Sequence, residues 1–188
     1  MTEKKFSMTI HMVASVDGMV AARDNNISWF EASSPYEKGV TGENPETFLQ
    51  SIDCYVMGAE TYLHARALSA DHGWAYGTTP TVVVTSRDLP VDLPNVTLHR
   101  GDLAKFVNET LRPRYKNVWL VGGPMLAAGF MRLGLADEIR LTVLPVILGD
   151  GLRFFEHLGQ GRALQLKDVT AYKNGLVELR YAIGATPH

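Results

Sequence analysis

The sequence has one cysteine, Cys54, in 188 residues. A single thiol excludes both an intramolecular disulfide and a cysteine-based zinc cluster, because each needs at least two sulfur atoms from the chain. Cys54 directly precedes an apolar run, so we interpret it as a small buried strand residue. The 6 histidines include no H-E-x-x-H motif or similarly close pair, and we therefore expect no metal site.

An excess of positive charge is also missing, since 18 Lys and Arg stand against 20 Asp and Glu, for a net charge of −2. Nucleic-acid binding relies on clustered basic residues that neutralise phosphates, and here they are scattered. The N-terminus leads into an amphipathic strand without a continuous apolar stretch, unlike a signal peptide or a membrane span. We expect no nucleic-acid partner and no membrane contact, and we predict a cytoplasmic protein.

Two common nucleotide-binding signatures are absent as well. There is no G-x-G-x-x-G after the first predicted strand and no G-x-x-x-x-G-K-[ST] loop, which disfavours ordinary Rossmann enzymes and P-loop NTPases. The chain has 46% hydrophobic and 20% charged residues, enough for one sizeable core but cramped for two. We predict a single domain that comprises residues 1–188.

The hydrophobic pattern predicts strands that alternate with short helices and then an antiparallel edge. Strands are predicted at 8–16, 54–57, 81–85, 96–99 and 117–121, and helices at 45–52, 60–64, 102–111 and 125–133. Beyond these lie a strand at 138–145 and a hairpin of 163–169 and 175–183 around Asn174-Gly175. The pattern indicates an α/β fold with a mostly parallel sheet and antiparallel C-terminal strands. A polar segment at 21–45 is predicted to be a long functional loop.

The first of three candidate nucleotide-binding corners is Gly122-Gly123, where a predicted strand passes into a helix. Glycine has no Cβ to keep a ligand from the backbone, and the free N–H groups of a first helical turn attract anions such as a pyrophosphate. Pro124 removes one of these donors. Considered alone, this corner is equally consistent with a phosphate cradle and with a plain tight turn.

The second and third corners follow two other predicted strands. Gly58 is followed by Thr61, whose hydroxyl either faces a ligand or caps the local helix. The third corner ends with Arg87, which suits the 2′-phosphate that distinguishes NADPH from NADH, although without the other two corners a solvated surface residue would be the favoured interpretation. The carboxyl ends of parallel strands share one edge, so the three corners are expected to converge on one dinucleotide.

Read in order with a Ser-x-Asp-Gly turn at 15–18 and a Pro-Val-x-Leu-Gly-x-Gly-x-x-Phe stretch at 145–154, these corners resemble a known family. The sequence is similar to the dihydrofolate-reductase-like superfamily and, within it, to the reductase domain of the bifunctional riboflavin-biosynthesis deaminase/reductase and its stand-alone members. The resemblance implies a three-layer α/β/α fold and hydride transfer from NADPH. The deaminase half is missing, so the chain looks like a stand-alone member.

The same resemblance implies where the cofactor lies. The carbonyl and neighbourhood of Ala14 would face the nicotinamide. The other implied cofactor-binding residues are Gly58, Thr61, Thr85, Ser86, Arg87, Val121, Gly122 and Gly123.

On the substrate side, reduction of a ring needs a proton as well as a hydride. Asp17 is the first candidate for the catalytic group, with a turn-forming aspartate as the alternative. Trp29 is a candidate wall of the substrate pocket that stacks on a heterocycle, with simple packing as the alternative. Glu31 and Glu43 are further pocket candidates, because they lie in the loop that would cover the site.

We therefore predict an NADPH-dependent reductase of a small pyrimidine- or pteridine-type substrate, similar to 5-amino-6-(5-phosphoribosylamino)uracil reductase or to dihydrofolate reductase. The alternatives are a non-catalytic nucleotide- or ligand-binding protein on the same fold and a reductase of unrelated small carbonyl compounds. The apolar C-terminal strands and the run at 145–148 also make a homodimer an expectation.

Overall fold

The computed structural model describes residues 5–32 and 45–184. Its strands are β1 (Ser7–Ser15), β2 (Met19–Ala21), β3 (Cys54–Gly58), β4 (Thr81–Val84), β5 (Val96–His99), β6 (Asn117–Gly122), β7 (Glu138–Leu144), β8 (Leu152–Arg153), β9 (Leu164–Ala171) and β10 (Val177–Ile183). Its helices are a 3-10 turn (Ser28–Ala32), α1 (Pro45–Ser51), α2 (Ala59–His72), α3 (Leu103–Lys105), a π-helical segment (Phe106–Leu111), α4 (Arg112–Arg114) and α5 (Pro124–Arg132).

Eight of the strands form one sheet in the order β5-β4-β3-β6-β1-β7-β10-β9. The first six strands in this order, from β5 to β7, all pair in parallel with their neighbours. β10 pairs antiparallel with both β7 and β9. This arrangement confirms the predicted α/β class, with a mostly parallel sheet and antiparallel C-terminal strands.

Strand β1 lies in the middle of the sheet, and its two faces differ in chemistry. Met8 and Ile10 are fully buried in the largest apolar core, where Leu120 of β6 and Phe130 of α5 join them. Burial of each such side chain contributes roughly 1.5–3 kcal/mol. His11 points to the opposite face, because successive strand residues alternate sides. That second face carries the polar side chains described below.

Two parts of the fold differ from the sequence prediction. Helix α2 extends to His72 rather than stopping near residue 64, and it ends where Gly73 adopts a φ of 75°. Strands β2 and β8 form a separate antiparallel pair that was not predicted. With three and two residues they are too short to show a hydrophobic period.

Among the residues that the structure describes, no helix combines the length and apolar character needed to cross a bilayer. Within the same ranges, no group of three or more His, Cys, Asp or Glu side chains is arranged to hold a metal ion.

Candidate functional site

The carboxyl ends of β3, β4 and β6 open into a cavity of about 1300 Å³. In an open α/β sheet, this edge is where ligands usually bind. All three predicted corners line it: Gly58, Thr61, Thr85, Ser86, Arg87, Val121, Gly122 and Gly123. The expected convergence of the three strand ends is therefore present, while the roles of the individual residues stay predictions.

The two glycine corners lie against each other. A Cβ built on Gly58 would lie 3.5 Å from the amide nitrogen of Gly123, and one built on Gly123 would lie 3.6 Å from the Thr61 hydroxyl oxygen. The peptide between Gly122 and Gly123 is cis. Gly58 is the N-cap of α2, and no described side chain forms a cap hydrogen bond there. The structure thus favours a Thr61 hydroxyl that faces the corner over one that caps the helix.

The third corner places a cation at the mouth of the cavity. The amide of Arg87 donates to the hydroxyl of Thr85 at 3.0 Å, which fixes the turn after β4. The Arg87 guanidinium pairs with Glu60, whose Oε1 lies 2.6 Å from its Nη2. Both side chains are about half exposed or more, at 50% and 67%. Arg87 is therefore within the cavity wall, but it already has an exposed carboxylate beside it.

Two predicted residues do not line the cavity with their side chains. The Ala14 side chain is buried in the apolar core while its neighbours Met12 and Val13 line the cavity, and the role of the Ala14 carbonyl stays a prediction. Trp29 packs edge-on against Phe30, with ring centroids 4.5 Å apart. It joins an apolar cluster, so the packing alternative is favoured for Trp29, and Phe30 lines the cavity in its place.

The structure does not describe the side chains of the two remaining pocket candidates, Glu31 and Glu43. Glu31 belongs to the 3-10 turn Ser28–Ala32, but its side chain is outside the described part of the structure. Glu43 lies wholly outside the described residues.

The geometry around Asp17 argues against its predicted role as proton donor. Its carboxylate accepts hydrogen bonds from the Ser15 hydroxyl at 2.6 Å and from the amides of Leu148 at 3.1 Å and Gly149 at 2.7 Å. These bonds lower the pKa of Asp17 below its usual value, the Ser15 bond most strongly. A carboxylate held in its ionised form is a poor acid. Asp17 instead joins the turn after β1 to the segment after β7.

A polar group on the sheet was missed by the sequence reasoning. We call His11, Arg140, Thr142 and Glu178 the strand-face cluster. The register places His11 beside Arg140 and Thr142 beside Glu178, so all four share one face of β1, β7 and β10. All four line the same cavity as the three corners.

Hydrogen bonds connect the strand-face cluster. The Arg140 Nε donates to Glu178 Oε1 at 2.8 Å, and His11 Nε2 lies 3.0 Å from the Thr142 hydroxyl oxygen. Burial, and secondarily the positive charge of Arg140, lowers the pKa of His11 to about 3. The imidazole is therefore neutral at physiological pH.

Aromatic side chains enclose this cluster. The Trp119 ring stacks on His11 at 4.7 Å, and its Nε1 donates to the His11 carbonyl oxygen at 2.8 Å. The Arg140 guanidinium lies over the ring of Phe48, 4.0 Å from its centroid. The only sequence signal for the cluster was the charge carried at alternate positions of two strands otherwise predicted to be apolar.

A sequence model of the RibD C-terminal domain family matches residues 7–178, which include all three corners and the whole strand-face cluster. The chain belongs to the RibD C-terminal domain family. This confirms the resemblance seen in the sequence. It also means that the cavity lies within a RibD C-terminal domain and not in an unrelated α/β fold.

Similar proteins agree with this membership. YwjB of Bacillus subtilis, an uncharacterised protein, is 27% identical over 172 residues, which cover 92% of this chain and 95% of YwjB. A solved putative riboflavin biosynthesis protein from Shewanella sp. PV-4 superposes with a TM-score of 0.81 at 20% identity, covering 96% of this RibD C-terminal domain and 100% of that chain.

A third similar structure is a two-activity enzyme. It is the diaminohydroxyphosphoribosylaminopyrimidine deaminase/5-amino-6-(5-phosphoribosylamino)uracil reductase of Thermotoga maritima, with a TM-score of 0.66 at 15% identity. The match covers 97% of this RibD C-terminal domain but 58% of that chain. At these identities the two solved structures establish the fold alone.

Proposed function

We propose that this RibD C-terminal domain is an NADPH-dependent reductase of a small pyrimidine- or pteridine-type heterocycle. The observation that carries the proposal is one cavity with two chemically different ends. One end is formed by the glycine corners and Arg87, and the other by the strand-face cluster and its aromatic neighbours. A dinucleotide and a flat polar ring need surfaces of these two kinds next to each other.

The residues at the first end fit a phosphorylated dinucleotide. The glycine corners leave backbone close to the cavity where side chains would otherwise fill it. Thr61 and Ser86 bring hydroxyl groups, and Arg87 brings a guanidinium at the mouth. Bound NADPH would supply the hydride, and these residues would hold and orient it while the apolar wall excludes water.

The proposal is tested by binding and turnover together. Calorimetric titration with NADPH would be followed by measurement of nicotinamide absorbance with a panel of aminopyrimidines, pterins and dihydrofolate. Binding followed by oxidation with any member of the panel supports the reductase. Binding without turnover over the whole panel favours the ligand-binding alternative, and absence of NADPH binding contradicts the reductase.

Arg87→Ala is expected to weaken NADPH binding about tenfold or more and to change the affinity for NADH by less than about twofold. The reason is that a hydrogen bond to a charged phosphate contributes roughly 1.5–3 kcal/mol, and only NADPH has the 2′-phosphate. Calorimetry with both nucleotides measures the difference. Arg114→Ala is the control, because Arg114 is an exposed cation that does not line the cavity. Equal losses of both nucleotides would refute the 2′-phosphate role.

Glu60→Gln is expected to tighten NADPH binding by about threefold and to leave the affinity for NADH nearly unchanged. Glu60 places a negative charge where the 2′-phosphate would bind and holds the Arg87 guanidinium in an exposed ion pair. Such pairs contribute about 0–1 kcal/mol, so the gain is modest. The same titrations measure it. Weaker NADPH binding by the variant would instead mean that Glu60 is needed to orient Arg87.

Two further expectations from the sequence stay predictions. One is the homodimer, for which the edge strand β9 offers the exposed apolar residues Leu164, Leu166 and Val169. The other is the cytoplasmic location.

A further inference from the structure

A second cavity lies at the opposite edge of the sheet from the glycine corners, where the chain enters β1 and β6. β6 runs for 6 residues from this edge to Gly122, a length of roughly 20 Å. The cavity has a volume of about 420 Å³. Small-molecule sites typically have volumes of roughly 300–1,000 Å³. We call it the amino-edge cavity, and the residues that line it are Lys5, Phe6, Arg112, Pro113, Arg114, Tyr115 and Lys116.

The wall of the amino-edge cavity is strongly basic. Four of its seven lining residues are Lys or Arg, and none is Asp or Glu. This charge is local, because the whole chain has a net charge of −2. None of the four side chains forms an ion pair with a carboxylate of the described residues, whereas six arginines elsewhere in that part of the chain do. The cavity therefore has four cations available to a ligand.

Backbone hydrogen bonds hold these cations around the cavity. The amide of Ser7 donates to the Lys116 carbonyl oxygen at 2.7 Å, which joins the segment before β1 to the segment before β6. The Lys116 amide donates to Asp53 Oδ2 at 2.8 Å, and the Asn117 amide donates to Asp53 Oδ1 at 3.0 Å. Asp53 itself does not line the cavity. Its carboxylate thus fixes the main chain at the cavity wall and leaves the cationic side chains free to face a ligand.

The Arg112 guanidinium is positioned before any ligand binds. It lies over the ring of Phe6, 4.6 Å from the ring centroid. Phe6 in turn packs against the largest apolar core. The contact uses the face of the guanidinium, so the N–H groups around its edge stay available. Their planar arrangement suits two oxygen atoms of one phosphate group.

Helix electrostatics explains only part of this charge. Arg112 and Arg114 lie in the last turn of a helix, where the partial negative charge of the helix end favours cations. Lys5 and Lys116 precede strands, and the helix gives no reason for them. Because like charges repel one another, four cations without carboxylates beside them cost stability. A bound anion would offset that cost.

We propose that the amino-edge cavity binds a small anion made of linked phosphates, either free pyrophosphate or the phosphate chain of a nucleotide. Two guanidinium and two ammonium groups match phosphate oxygens in charge and in hydrogen-bond donors. These cations surround a cavity and do not extend along a track, which favours a compact ligand over a nucleic-acid strand. The inference is independent of the proposed function, which concerns the cavity at the other edge of the sheet.

Calorimetric titration with pyrophosphate tests this site, and citrate, a carboxylate anion of similar charge, is the matched probe. We expect one pyrophosphate per chain, bound about fivefold or more tightly than citrate, because a phosphate group offers three acceptor oxygens and a carboxylate two. Pyrophosphate affinity should fall as ionic strength rises from about 0.01 M to about 0.15 M, since the Debye length shortens from about 30 Å to about 8 Å. Titration with ATP separates the two sources of the phosphates: tighter binding of ATP than of pyrophosphate indicates a nucleotide, and equal or weaker binding indicates the free anion.

The double variant Arg112→Ala/Lys116→Ala is expected to weaken pyrophosphate binding about hundredfold, from the loss of two charged hydrogen-bond donors. Lys105→Ala/Arg132→Ala is the matched control. It removes the same charge from two exposed residues that line neither cavity, and it should change the affinity by less than about twofold. Arg87→Ala is also expected to leave pyrophosphate affinity within about twofold. Loss of binding in Arg87→Ala instead would place pyrophosphate in the other cavity and overturn the inference.

Thermal unfolding shows whether each variant folds. If Arg112→Ala/Lys116→Ala does not fold because the contact with Phe6 is lost, Arg114→Ala/Lys116→Ala removes two exposed cations of the same wall and takes its place. Equal binding of pyrophosphate and citrate, equal effects of the test and control double variants, or no binding of pyrophosphate to the wild-type protein would each overturn the inference. Binding of a short RNA without binding of pyrophosphate would overturn it too.

NADPH titration of the same variants separates this inference from the proposed function. NADPH affinity is expected to be unchanged in Arg112→Ala/Lys116→Ala, because neither residue lines the cavity of the glycine corners. A wild-type protein that binds pyrophosphate at the amino-edge cavity but does not bind NADPH would defeat the proposed function alone. One that binds NADPH but not pyrophosphate would defeat this inference alone.

Discussion

Gly151→Ala is expected to lower the free energy of unfolding by about 2–4 kcal/mol and to displace β8 from β2. The φ of Gly151 is 154°, a conformation that L-residues rarely adopt, and such strain costs roughly 1–3 kcal/mol. A Cβ at this position would also overlap the carbonyl oxygen of Ala21, which is backbone and has little room to move. Ala21 and Leu152 line the cavity, so ligand binding should weaken along with stability.

Gly149→Ala is the matched control for this substitution. Gly149 is two residues away and also has a positive φ, of 78°, but a Cβ there would meet no atom within 4 Å. Its expected cost is about 1 kcal/mol, from backbone conformation alone. Urea unfolding of the two variants measures the difference. Similar losses of stability for both would show that the loop around Gly151 relaxes and that the contact with Ala21 does not constrain the fold.

His11 is expected to make the protein less stable in weak acid, by about 3 kcal/mol between about pH 7 and pH 4. The pKa of His11 is about 3 in the folded chain, against 6.5 for an ordinary histidine. Between these two values the unfolded chain binds a proton that the folded chain does not bind. Stability therefore rises with pH across this window and falls as the pH drops through it, by up to roughly 1.4 kcal/mol per pH unit.

His11→Gln removes this titration and should flatten the pH dependence of stability. Urea unfolding at several pH values gives the free energy of unfolding of the wild-type protein and of His11→Gln as a function of pH. The difference between these two curves reports His11, because the carboxyl groups present in both proteins contribute equally to each. His157→Gln is the control, because the His157 side chain is 91% exposed. A wild-type curve that runs parallel to the His11→Gln curve would show that His11 has the same pKa in the folded and the unfolded chain.

The sheet and the three corners were readable from the sequence because their signals are local. A β-branched run such as 81–85 predicts a strand by itself, and a glycine directly after a strand predicts a corner. Parallel pairing then brings those corners to one edge without further information. For this reason the sequence alone predicts that Gly58, Thr61, Arg87 and the Gly122-Gly123 corner share one edge of the sheet.

The strand-face cluster could not be found in this way. His11, Arg140 and Glu178 are far apart in the sequence, and they meet only because β7 lies between β1 and β10 in a particular register. A shift of one residue in any of these strands would send the side chain to the other face. The hydrogen bonds of Asp17 could not be predicted for a related reason, since the amides of Leu148 and Gly149 that bind its carboxylate come from a distant segment.

The central place of β1 has a consequence for how this protein is made. β1 is translated before both of its neighbours in the sheet, β6 and β7, which come from residues 117–144. Until those residues have been translated, the apolar face of β1 with Met8 and Ile10 has no strand on either side to complete it. In the nascent polypeptide this apolar face therefore stays unpaired until residues 117–144 have emerged, and an unpaired apolar strand is prone to aggregate.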